Sequence, residues 1–239
     1  MESGDNTKLN VVRKVIPIGG GLLRLGETTS IDKFIISESG KKNPKVLFIP
    51  TASKDLPAYS SAFRHAYEKL GCQVKILHLF NKIKPPQASL KKLITSADII
   101  YVGGGDYDTL LSAWKRHKII SLIHTAYQQG VILTGLSAGA AVWYEYLIDS
   151  DKNGKTHLKR GLSILKGVVF PHYKSASQFP AEIGKIKTVV TAIEDRCAVM
   201  YINENLEGAI PSTNKEKAFT INHPYDKRKK VTLYFHKPH

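Results

Sequence analysis

The run Val131-Ile132-Leu133-Thr134-Gly135-Leu136-Ser137-Ala138-Gly139-Ala140-Ala141-Val142-Trp143 reads as strand, sharp turn and helix. A branched apolar segment ends at Gly135, Ser137 follows two residues later, and Gly139 leads into a helix-prone stretch expected to reach about residue 147. A serine in G-x-S-x-G at such a turn sits on a strained elbow that its two glycines permit, and its hydroxyl stands clear of the sheet edge. The backbone N–H of Ala138 would open the helix, where unpaired donors and the positive dipole end favour a developing oxyanion. The same residues also suit an ordinary strand-to-helix turn, with Ser137 as an N-cap and the glycines present for close packing. The remainder of the chain has to decide between the two.

Working outward, residues 45–50, 74–80 and 97–102 are further short apolar runs, and 11–18 is another that stops at Gly19-Gly20-Gly21. The segments between them place apolar residues three and four apart, as in Tyr59, Phe63, Ala66, Tyr67 and Leu70, the spacing of a helix lying on a core. Short strands alternating with helices imply βαβ units. The expected fold is α/β, a three-layer arrangement of a mostly parallel sheet with helices on both faces. Downstream the sequence predicts a polar loop over 149–160, a strand over 165–170 that runs into Pro171-His172-Tyr173, a helix over 179–194 and a strand over 197–202. Segments 217–221 and 230–235 should close as an antiparallel hairpin. Residues 1–10 are expected to be a disordered tail and 11–239 a single domain.

At 239 residues and 42% hydrophobic, the chain can bury one sizeable core. No stretch reaches the roughly 18 apolar residues of a membrane span, and the first residues lack the apolar segment of a signal peptide, so a cytoplasmic location is expected. Cys72 and Cys197 have no metal-ligand spacing and read as reduced, buried thiols, with no metal anticipated. Thirty-five Lys and Arg against 20 Asp and Glu give a net charge of +15. The bases are scattered, and the densest run, Asp226-Lys227-Arg228-Lys229-Lys230, falls at the expected hairpin tip. That pattern indicates a solvated basic surface and not a nucleic-acid site. Gly19-Gly20-Gly21 and Gly103-Gly104-Gly105 match neither the P-loop nor the dinucleotide fingerprint, so no nucleotide cofactor is expected.

Ligands bind outside the carboxyl ends of parallel strands, which puts Ser137, His172 and an acid from the pair Asp149 and Asp151 on one edge. A serine hydroxyl becomes a good nucleophile when an imidazole takes its proton, and that imidazole needs a carboxylate on its far nitrogen. The glycine turn 103–105 could lend an N–H to an oxyanion hole beside Ala138.

These residues resemble the peptidase E (aspartyl dipeptidase) family of serine peptidases, relatives of cyanophycinase. The resemblance rests on Val102-Gly103-Gly104-Gly105, Gly135-Leu136-Ser137-Ala138-Gly139-Ala140, Trp143-Tyr144-Glu145 followed by Asp149-Ser150, and Pro171-His172-Tyr173, and covers roughly residues 11 to 210. It implies a flavodoxin-like fold of the class I glutamine amidotransferase type and a cytoplasmic hydrolase of small peptides. Ser137 would be nucleophile, His172 general base, Asp149 the third member with Asp151 as alternative, and the Gly105 and Ala138 N–H groups the oxyanion hole. Two departures stand out. Asp106 replaces the asparagine usual after the glycines, and the segment 174–179 lacks the arginines that bind an N-terminal aspartate, so strict aspartyl specificity is not implied. Lys174 or Lys185 could stand in, without the bidentate fork of an arginine. The expected partner is a small peptide, with a homodimer left open.

Two other readings compete. An α/β-hydrolase esterase shares G-x-S-x-G, but the separation of 35 positions from Ser137 to His172 leaves no room for the strands and cap of that fold. A binding protein that kept the fold and lost the chemistry would present its basic surface instead.

Overall fold

Short apolar segments rich in Val and Ile become buried strands because each can cover both faces against helices. In a computed structural model, which describes residues 11–80, 85–151, 153–180, 183, 188–222 and 228–232, the order is β1 (Lys14–Ile18), α1 (Thr29–Glu38), β2 (Lys45–Ile49), α2 (Pro57–Lys69), β3 (Gln73–Ile76), α3 (Gln87–Thr95), β4 (Ile99–Val102), α4 (Tyr107–His117), α5 (Ile120–Gln128) and β5 (Ile132–Leu136). A single helical turn, α6 (Ala138–Ala141), follows, then β6 (Tyr144–Ser150), β7 (Thr156–Arg160), β8 (Leu165–Phe170), β9 (Val190–Ile193), β10 (Cys197–Ile202), β11 (Asn205–Pro211), β12 (Ala218–Ile221) and β13 (Arg228–Lys230).

Strands β1 to β5 lie parallel in a seven-stranded sheet of order β11-β10-β1-β5-β4-β2-β3, with β10 and β11 added antiparallel. One face, carrying Ile16, Phe48 and Tyr101, packs on Ile31 and Ile35 of α1 and Phe63 and Tyr67 of α2. The other, carrying Leu47, Ile100 and Leu133, packs on Leu90 of α3, Trp114 of α4 and Ile123 of α5. Helices therefore cover both faces of a mostly parallel sheet, as the pattern predicts.

The second half departs from the expectation. Strands β6, β8 and β9 are parallel in a separate six-stranded sheet, order β13-β12-β9-β8-β6-β7, whose Leu147, Leu165 and Val169 join the core of the first. The helix expected to reach residue 147 stops at Ala141 because helix formers end there. Val142, Trp143, Tyr144, Tyr146 and Ile148 favour a strand. The expected loop at 149–160 is largely the β6–β7 hairpin. The expected helix over 179–194 ends instead in the fully buried strand β9, its branched residues Val190 and Ile193 suiting a sheet. Residues 181–182 and 184–187 of that segment, Lys185 among them, lie outside the described residues, as do 1–10. β12 does pair antiparallel with a later strand, Phe219 opposite Lys230, but that strand, β13, meets the expected 230–235 segment at Lys230 alone, and residues 223–227 and 233–235 lie outside the described residues. Both cysteines are free and buried, and burial pushes their thiols up to about 11 for Cys72 and about 12 for Cys197. Among the described residues, no helix is long and apolar enough to cross a membrane.

One acid sits inside the α1–α2 layer. Asp32 accepts hydrogen bonds from Tyr67 Oη (2.8 Å) and Thr28 Oγ1 (2.9 Å), yet burial outweighs both and raises its carboxyl to about 6. A folded-state value above the unfolded one favours the protonated form, so this contribution to stability is complete below about pH 4 and lost as pH rises through 6. Asp32→Asn is therefore expected to stabilise the protein by about 2 kcal/mol at pH 7.5, and by much less at pH 4. Urea unfolding at the two pH values checks this, and equal effects at both would contradict it.

Candidate active site

Strand β5 ends at Leu136 and the chain turns at Ser137, whose backbone has φ 56° and ψ −115°. A non-glycine residue there is strained. The glycines on either side carry the tight approach, since a Cβ at Gly135 would strike the Gly139 carbonyl and one at Gly139 the Val102 carbonyl. Close packing and elbow are thus the same feature. The N-cap reading of Ser137 fails, because its side chain makes no cap hydrogen bond and turns to His172, with Oγ 2.7 Å from Nε2.

His172 follows β8 and Pro171 and also has a positive φ of 55°. Its Nδ1 lies 2.5 Å from Asp195 Oδ1. The acid on the imidazole is therefore Asp195, in the loop between β9 and β10, and not Asp149 or Asp151. Asp149 lines a cavity beside Ser137, but its carboxylate is held by Lys159 Nζ at 2.7 Å, and Lys159 also bonds Asp108 at 2.8 Å. Asp151 caps the β6–β7 turn, accepting from the Asn153 and Lys155 N–H groups. Strand β6 carries Asp149 into a hairpin, while β9 brings Asp195 to the carboxyl edge beside β8. The hydrogen bond from His172, aided by the charges of Lys174 and Arg196, holds the Asp195 carboxyl below its usual range despite partial burial.

Backbone hydrogen bonds tie these loops to the end of β1. Ser137 N–H donates to the Ile18 carbonyl (3.0 Å), His172 N–H to Gly19 (3.3 Å) and Arg196 N–H to Gly20 (2.9 Å). A Cβ on Gly20 would overlap Asp195 Oδ1 and the His172 ring. The glycine turn after β1 is thus a backing plate for the histidine and the acid. Gly20 stands out in sequence only as part of a glycine turn with no assigned role, and Asp195 does not stand out at all. Asp195 could have been found only by reading 190–193 as a strand with an acid just past its carboxyl end.

Gly105 and Ala138 both line the cavity that contains Ser137. Gly105 has φ 142°, and a Cβ there would strike the Ala52 carbonyl. Ala138 is the first residue of α6, so its N–H has no partner within the helix. With only one turn, α6 contributes local donors and little macrodipole. Asp106, the departure noted above, accepts from Thr109 N–H at 2.7 Å as the N-cap of α4. Among the described residues no cluster of His, Cys, Asp and Glu could hold a metal ion.

The model of peptidase family S51 matches residues 15–209. An uncharacterized peptidase of Bacillus subtilis (strain 168), YgaJ, is 32% identical over 216 residues, 88% of this chain and 92% of the relative. A peptidase E of Shewanella denitrificans is 31% identical over 123 residues, about half of each chain. The crystal structure of a peptidase from an acI-B1 Actinobacterium shares the fold, with a TM-score of 0.73 at 20% identity over 94% of this chain and 96% of that one.

The strained elbow has a measurable consequence. Glycine relieves the backbone at residue 137 where alanine does not, so Ser137→Gly should be more stable than Ser137→Ala by about 1 kcal/mol. Thermal unfolding of the pair checks this, and Ser137→Ala proving the more stable would show that the turn is relaxed.

Proposed function

This chain belongs to peptidase family S51, and we propose that it is a serine-type hydrolase of small peptides, dipeptidase-like, working through Ser137, His172 and Asp195. The observation that carries the reading is the contact of 2.7 Å from Ser137 Oγ to His172 Nε2, with Asp195 on the other ring nitrogen. A carboxylate at Nδ1 keeps the proton on that nitrogen and leaves Nε2 free to accept from the serine hydroxyl. Asp195 is well suited to this because its carboxyl is held low and stays ionised.

Ser137 Oγ attacks the scissile carbonyl carbon as its proton passes to His172 Nε2. The carbonyl oxygen becomes an oxyanion, with the Gly105 and Ala138 N–H groups as its donors. The C–N bond then breaks, His172 returns the proton to the leaving amine, and an acyl-serine remains. Water, deprotonated by His172, hydrolyses the ester and restores Ser137. Cavities of about 590 and 310 Å³ flank Ser137, which suits short peptides. Lys174 on the smaller cavity does not reproduce an arginine fork, so strict selection of an N-terminal aspartate is not part of the proposal. A reducing, cytoplasmic setting accords with the two free thiols. The assembled triad favours a hydrolase over a binding protein that has lost the chemistry.

Kinetics on a dipeptide panel test the assignment. Ser137→Ala and His172→Ala should lose nearly all turnover. Asp195→Asn should lower kcat about 10⁴-fold through the wrong imidazole tautomer, while Asp149→Asn, whose carboxylate faces Lys159, should cost less than about ten-fold. The reverse order for the two aspartates would move the acid back to Asp149, and wild-type rates in Ser137→Ala would remove the nucleophile.

A further inference from the structure

We propose that the larger cavity beside Ser137 is a subsite for an apolar side chain, so that one of the two residues flanking the scissile bond is leucine-like or phenylalanine-like. This rests on the hydrolase reading above and deepens it. The cavity, of about 590 Å³, opens directly onto Ser137 and His172, so whatever fills it is adjacent to the bond being cut.

Its walls are apolar. Leu136 at the end of β5 and Leu23 are buried in its floor, and Tyr59 and Ala62 of α2 form one side. Leu22 and Leu56, 47% and 52% exposed, continue the apolar surface out to the rim. Burying such surface against a side chain is the kind of gain that discriminates by chain length, roughly ten-fold or more per methylene.

The wall is also preformed. Tyr59 packs edge-on against Phe48 at 5.1 Å, and Phe48 stacks on Phe63 at 3.9 Å. The Tyr59 hydroxyl accepts from Gly104 N–H at 3.4 Å, which joins the wall to the glycine turn. Burial pushes this phenol up to about 12, so it stays neutral. Among the described residues no carboxylate lines the cavity, and Arg24 is the one permanently charged side chain on it. A lysine or arginine of the substrate would therefore meet repulsion and no partner. An acidic side chain reaching Arg24 is the rival occupant.

The test compares kcat/KM for the dipeptide series Xaa-Ala and Ala-Xaa, with Leu, Phe, Ala, Ser, Asp and Lys at Xaa, alongside labelling of Ser137 by a fluorophosphonate. In one of the two positions Leu and Phe should exceed Ala at least about ten-fold, with Asp and Lys at or below Ala. Ala62→Phe, which fills the cavity, should cut the Leu-over-Ala ratio about ten-fold, with thermal unfolding measured to show that the variant folds. Leu56→Asp at the exposed rim should cut it about three-fold or more. Labelling with no apolar preference, or with Asp preferred, overturns the subsite and leaves the hydrolase standing. Absence of both labelling and turnover takes down the hydrolase and the subsite together. A dimer in sedimentation that Leu56→Asp dissociates, with peptide preference unmoved, assigns the cavity to a second copy and overturns the proposal.

Discussion

Three successive carbonyls at the end of β1, those of Ile18, Gly19 and Gly20, accept hydrogen bonds from the backbone of Ser137, His172 and Arg196. Each donor belongs to a different loop, yet each loop carries or adjoins one member of the Ser137–His172–Asp195 array. Because backbone donors in a partly buried edge are costly to leave unpaired, the three loops are held in register by one strand end. The side chains then meet without long-range adjustment.

That arrangement demands a bare backbone where it is densest. Gly20 lies so close to His172 and Asp195 that no side chain fits, and Ser137, His172 and Arg196 all have positive φ. Such strain is tolerated only where the surroundings over-determine it. Here the parallel sheet below and the second sheet beside it do so, sharing one core through Leu147, Leu165 and Val169. The rigidity that orients the imidazole is therefore paid for by packing well away from it.

The first half of the fold was legible because its signals are local. Residues 45–49 and 99–102 are continuous apolar runs, and α2 shows helical spacing in Phe63 and Tyr67. Ser137 and His172 were legible for a related reason, each sitting just past a strand that the sequence marks. Beyond Ala141 the signals conflict. Four small residues suggest a helix whose continuation is decided by pairing with β7 and β8, contacts that no local window contains. The same blindness hid β9, and with it the strand end that delivers Asp195. The resemblance to the peptidase E family points to Asp149, but its neighbour in space is Lys159 across the hairpin.

Proton NMR of the His172 ring tests the array most directly. A low-field resonance from the Nδ1 proton is expected in the wild-type protein, lost in Asp195→Asn and retained in Asp149→Asn. A resonance that survives Asp195→Asn and disappears in Asp149→Asn would contradict the assignment of the acid on which the rest depends.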